Sequence, residues 1–462
     1  MQKTHRIITI AVIMNDTYGT NKPPYDKIAL LGLFILSLLL AHFIVVFKSR
    51  LSFSDPIRLS QTGLSVSMPV GQAWQSDRQW QYKENMFSVS SLFPRGSDRP
   101  TTWANCRYLL SAETTTPQMR FEQRASGIDA VIAEINQTQI DTLTIDWVRI
   151  DKPEVHFSMF FGTARLPDNR QLDIEVSQIA GDGELAELVF KHIIETVIFD
   201  DNQDLKAGAE IVAEIKSRGL AGFLDHQNQQ DFFLIKDAKM NTIGFTMDVL
   251  VKTGTDGSET GGQPNIQAAG LYYIRAQNPL EQATSFQCSN NLDKFIYKSE
   301  ISRRTGRSGT ETILDGNGVI TFRKSQDKPS EKTYQLGPAA IPDVFLDQIL
   351  LQMLESGTSQ IIADIIEAGG KIIPTLIAAI EVAQDLTDDE DAAYAFMLEF
   401  LDGREFSEKI YLNRQKQVYL RLARQDNIYI LERTEVESLV NEFPEHAEHI
   451  RRNNHMLRET YF

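Results

Sequence analysis

The hydrophobic pattern begins with a stretch that is apolar on every helical face. Ile28–Phe47 reads IALLGLFILSLLLAHFIVVF, with no Asp, Glu, Lys or Arg. A bilayer core of about 30 Å takes about 20 such residues in a helix. Ile28, Leu33, Leu38, Phe43 and Phe47 mark successive depths of the predicted span. Lys27 stands at one end and Lys48 and Arg50 at the other, which suits a lipid-facing helix better than a core helix. The flank KSRLSFSDP carries no small-x-small cleavage site, so the pattern predicts an uncleaved signal anchor. Residues 1–27 form a short tail with Lys3, Arg6, Lys22 and Lys27 against Asp16 and Asp26. The predicted topology is single-pass, with the N-terminus cytoplasmic and residues 48–462 extracytoplasmic.

From Leu51 the period changes to two. Strands are predicted at Leu64–Met68, Asn85–Phe93 and Trp103–Leu110. Ile128, Ile132 and Ile135 recur at three- and four-residue spacing, which predicts a helix over Phe121–Ile135. Strands Asp141–Ile150, Val155–Leu166 and Gln171–Ile179 follow, the last two joined by a turn at Pro167-Asp168-Asn169. Gly183–Val197 carries one apolar stripe. The acidic junction Asp200–Asp204 predicts a boundary between one α+β domain over residues 51–200 and a second over 205–462.

The second stretch opens with an expected helix, Ala209–Phe223, and is then mostly strands. Asp315–Gly318, Gly369-Gly370 and Asp402-Gly403 are hairpin turns by composition. Ile341-Pro342-Asp343 opens a helix with Val344, Leu346, Ile349, Leu350, Met353 and Leu354 on its apolar face. A charged helix from Thr434 to about Arg452 ends the pattern. The predicted fold class is therefore α+β, one transmembrane helix followed by two antiparallel-sheet-plus-helix domains.

The opening GLSVSMPVGQAW, the hairpin around Pro167 and the closing helix ELAELVFKHIIETVIF resemble the PsbP-like α+β sandwich family, which includes DcrB-type envelope proteins. That family is not known for a shared active site, so the resemblance implies a fold and no functional residue. The order of elements after residue 205, most recognisably Tyr334–Ser356, resembles the half-barrel of LolA-like periplasmic lipoprotein carriers. It implies a concave face that holds acyl chains. The chain departs from those carriers in having extra C-terminal helices.

Composition adds constraints. The net charge of −16 argues against nucleic acid, whose affinity comes from Lys and Arg on phosphates. Cys106 and Cys288 are the chain's two cysteines, without C-x-x-C spacing, so zinc sites of the usual spacing are excluded. They are expected to be buried and unpaired, with a disulfide as the alternative in an oxidising compartment.

No catalytic, cofactor-binding or metal-binding residues are assigned. Gly369-Gly-Lys371 lacks the upstream glycine of a phosphate loop, and no G-x-S-x-G elbow is present. Asp200, Asn202 and Asp204 half-match a calcium loop, but Leu205 and Ile211 replace its Gly and Glu. Glu445, His446, Glu448 and His449 share a helical stretch and read as a solvated face. His156 and His192 fall in patterns that face a core. The expected function is a cell-envelope, extracytoplasmic binding or interaction protein, not an enzyme, with a lipid or other apolar ligand in the second domain. A structural or scaffold subunit of a membrane complex is the alternative.

Overall fold

The computed structural model describes residues 29–39, 51–59, 63–83, 85–181, 183–200, 202–223, 229–253, 265–275, 279–325, 330–382, 392–402, 407–424, 428–448 and 450–451. The chain is mostly β-sheet with a few helices, an α+β architecture. Residues 29–39 are helical, with Leu33 65% and Leu38 55% exposed. Ile28, Phe43 and Phe47 lie outside the described residues. Among the described residues no helix is long and apolar enough to cross a membrane.

A seven-stranded antiparallel sheet is built from Gln75–Lys83, Met86–Phe93, Thr102–Leu109, Gln171–Ile179, Phe157–Arg165, Leu143–Lys152 and Val131–Ile140, in that spatial order. The helix Glu184–Glu195 buries Ala186, Val189, Phe190, Ile193 and Ile194 on one face of this sheet, where Phe190 packs on Phe160 and Trp147. The helix Pro117–Gly127 covers part of the other face. Its buried Arg120 lays a two-pronged ion pair on Asp173 at 2.5 and 2.8 Å.

Two expected helices change here. The segment Val131–Ile140 is the edge strand of the sheet, not the end of a helix. Gly127 ends the Pro117–Gly127 helix, Asp129 takes a φ of +52°, and the β-branched Val131 and Ile132 continue extended. The second helix runs Gln203–Arg218, six residues earlier at its start than the apolar stripe indicates, because Asn202 caps it by accepting from the Leu205 N–H at 3.0 Å. Asn202 is thus a helix cap.

Among the described residues the second sheet has sixteen strands. Its middle is a meander, Gln229–Lys236 through Ser330–Gln335, and its other half runs from Ile428–Arg433 back to Gln360–Ile366. Ala340–Pro342 joins Gln360–Ile366 in parallel through the helix Leu346–Ser356, and Ala112–Glu113 from the first stretch adds at the opposite end. The two ends meet. The Leu336 N–H bonds to the Gly318 carbonyl, while the Ala339 carbonyl accepts from the Asp364 N–H. Three Cα steps separate those anchors, at most roughly 11 Å. The sheet is thus curled into a barrel-like shape with a seam.

The seam is filled by the turn after Arg165. Asn169 Nδ2 donates to the Leu336 carbonyl at 3.1 Å, and the Asn169 carbonyl accepts from the Ala112 N–H at 2.7 Å. Arg170 is 0% exposed and donates twice to Asp364, at 2.7 and 2.8 Å, and once to Tyr108 Oη at 2.7 Å. Asn85 adds bonds to the backbone of Gly370 and Ile372. One hydrophobic core runs through both sheets, from Phe160 and Ile193 to Phe286, Phe345 and Ile410. Cys106 and Cys288 are both buried and free.

The helix Val436–Glu442 is shorter than the expected terminal helix and lies on the convex face, where Phe443 packs on Phe245 and Tyr273. His446 packs against Tyr273 with the rings tilted and 4.1 Å between centroids, so this imidazole covers an apolar cluster. His449 lies outside the described residues. His156 is exposed at a φ of +49°, contrary to the core-facing expectation, because it turns the chain into the Phe157–Arg165 strand. His192 is half-buried and stacks on Phe53.

Candidate binding site

The register of the large sheet sets which side chains point into its concave face. Phe286 pairs across with Ala268 and Tyr297, and Ala268 with Leu250, so these share one face. The ring of Phe286 meets Phe345 edge-on at 5.3 Å, just before the helix Leu346–Ser356, which places that helix on the concave side. Two residues along each strand, the same face carries Asp231, Asp248, Gly270, Thr284, Ser299 and Thr310 in one cross-strand row. Apolar and polar rows therefore alternate on a face that the helix only partly covers.

A chamber of about 310 Å³ lies between the start of that helix and the sheet. Phe233, Leu250, Phe286, Leu346, Leu398 and Phe400 supply apolar wall. Among the described lining residues six are carboxylates, Asp231, Asp248, Asp343, Asp347, Glu367 and Glu408, and one is a cation, Arg421. A groove of about 470 Å³ shares Asp248, Gly270, Thr284, Tyr297, Asp343 and Glu367 with the chamber. It is otherwise rich in hydroxyl and amide groups, Thr246, Tyr272, Gln282, Ser299 and Thr310. Gly270 is needed at the junction, since a Cβ there would stand 2.6 Å from Thr284 Oγ1 and 2.7 Å from Asp248 Oδ1.

The helix start ties the two halves of the curled sheet together. Tyr297 Oη donates to Asp343 at 2.7 Å on one side. On the other, Arg421 donates to Asp347 at 2.9 Å and faces Glu408 at 3.9 Å. Arg433 pairs with Asp231 at 2.6 Å. Burial pushes the Asp343 carboxyl up to about 7 against the Tyr297 hydrogen bond, with Glu367 and Asp248 adding to the rise. Asp248 opens onto the cavity but is ringed by protein, and that desolvation lifts it to about 6 despite Arg421 and the Thr246 hydroxyl. Glu408 is raised too, burial outweighing Arg421. Among the described residues no group of three His, Cys, Asp or Glu side chains is placed to hold a metal ion.

Leu33 and Leu38, the expected membrane-span residues that fall among the described ones, do not line this cavity. The acidic lining was missed by reading motifs, because its members are spread over the chain from Asp231 to Glu408. A signal was there: Asp248, Gly270, Thr284 and Ser299 interrupt strands at positions of inward parity.

No family model matches the chain, and no curated protein matches it, so neither the PsbP-like nor the LolA-like resemblance is matched by a family model. Among solved structures it is similar to a β-barrel-like protein of the domain of unknown function DUF1849 from Brucella abortus. The identity is 10% and the TM-score 0.33, over 45% of this chain and 95% of that one.

Proposed function

We propose that this chain is a membrane-anchored binding protein of a cell envelope, which holds a small ligand on the concave face of its large sheet. The observation that carries the reading is the chamber itself. A filled core would leave no space under the helix Leu346–Ser356, whereas about 310 Å³ is left there, within the range of about 300–1,000 Å³ usual for small-molecule sites. The anchor is proposed from Ile28–Phe47 and its basic flanks, with residues 48–462 outside the cytoplasm. The apolar wall suits the hydrocarbon part of a ligand.

Native mass spectrometry of the full chain in copolymer nanodiscs tests the reading. A ligand-sized mass on the wild type that disappears in Ala268→Trp supports it. A clean apo mass, or a mass retained by the filled variant, overturns it. The scaffold reading is favoured by one observation, the exposed Val131 and Ile135 on the edge strand Val131–Ile140. Crosslinking from that edge to another protein in cells, together with an apo chamber, would replace the first reading with the second.

A further inference from the structure

Resting on the binding reading, we propose that the chamber and the groove form one two-part site for an amphiphile with a cationic, amine-type head. Its hydrocarbon part lies against Phe233, Leu250, Phe286 and Leu346. Its head lies at the junction, beside Asp248 and Asp343 and among the hydroxyls of Thr284 and Tyr297.

The two compartments differ in chemistry and share a wall, so a ligand spanning them must itself change from apolar to polar along its length. The sign of the head follows from charge. The described lining of the chamber has six carboxylates to one guanidinium, and Arg421 is already engaged by Asp347 and faces Glu408. A phosphate or fatty carboxylate would enter against that field, and the one cation among the described lining residues, Arg421, is paired with Asp347. An ammonium meets the opposite: each approach to Asp248 or Asp343 is a charge-assisted hydrogen bond in a partly desolvated site. A bare metal ion fits poorly, because among the described residues no three carboxylates are grouped to hold one. An alkylammonium carries three N–H donors for separated acceptors and brings the apolar surface that Phe286 and Leu346 would bury.

Calorimetric titration of the full chain in nanodiscs, with empty nanodiscs subtracted, tests the inference with n-octylamine, n-octanol and octanoate. Octylammonium is expected to bind once per chain, at least ten-fold tighter than octanoate and several-fold tighter than octanol. Asp248→Asn with Asp343→Asn, checked for folding by circular dichroism, is expected to remove the advantage over octanol. Octanoate or octanol binding as tightly as octylammonium overturns the choice of sign and leaves the binding reading standing. Octylammonium heat unchanged in Ala268→Trp places the cation elsewhere and overturns the inference. No saturable binding of any of the three by the wild type overturns the inference, and the binding reading then stands or falls on the co-purified mass.

Discussion

Arg170 carries its charge where no water reaches it, and its partner Asp364 is 1% exposed. A buried pair of this kind is costly to break from one side, because the remaining ion stays desolvated and uncompensated. Arg170→Met is expected to cost about 3–5 kcal/mol, and the double variant Arg170→Met, Asp364→Leu much less, measured by chemical denaturation. A loss below about 1 kcal/mol in the single variant would contradict the buried-pair reading. Asp343 is the opposite case, a carboxyl that burial lifts to about 7. An unfolded Asp loses its proton near about 3.9, so between those values the native state binds more protons than the unfolded state. Stability is therefore expected to fall as pH rises from about 4 to about 7, and to stay lower above that. Asp343→Asn removes this dependence. Between pH 5 and pH 8 the variant is expected to lose about 1–2 kcal/mol less than the wild type, with water in the cavity screening the full effect. Equal losses in both proteins would show that Asp343 is ionised throughout.

At the scale of elements, the Gln203–Arg218 helix lies against the strand Gln360–Ile366 at backbone distance. A Cβ at Gly208 would collide with the Ile362 carbonyl oxygen. Alanine is the better helix former by about 1 kcal/mol, but overpacking costs about 1–3 kcal/mol, so Gly208→Ala is expected to destabilise on balance. A rise in thermal midpoint would mean the helix can move off the strand. This contact was not legible in the sequence, where Gly208 is one glycine in an amphipathic stripe. Local alternation was legible: Gln171–Ile179 and the hairpin turns at Asp315–Gly318 and Gly369-Gly370 fall where period and turn chemistry put them. The helical spacing of Ile128, Ile132 and Ile135 misled, because β-branched residues fit an edge strand equally well and the bulge beside Ile150 shifts their facing. The site was legible only as a face. Which carboxylates meet depends on register between strands far apart in the chain, and no local pattern encodes that.

At the scale of the whole molecule, the turn Leu166–Arg170 closes the seam of a sheet to which it does not belong. Ala112–Glu113 extends one end of that sheet, Arg170 grips the other, and one apolar core passes between. The two sheets are therefore expected to unfold together. Scanning calorimetry should show one transition with calorimetric and van't Hoff enthalpies equal. Two separated transitions would mean that the large sheet keeps its curl without the clasp.

A bound ligand would fill the space under the helix Leu346–Ser356. The most direct test is a crystal structure of the protein as purified from its native cells. Elongated non-protein density between Phe286 and Leu346, ending beside Asp343, is the expected result. A chamber closed by rotation of Phe286 or Phe345, or holding ordered water alone, would contradict it.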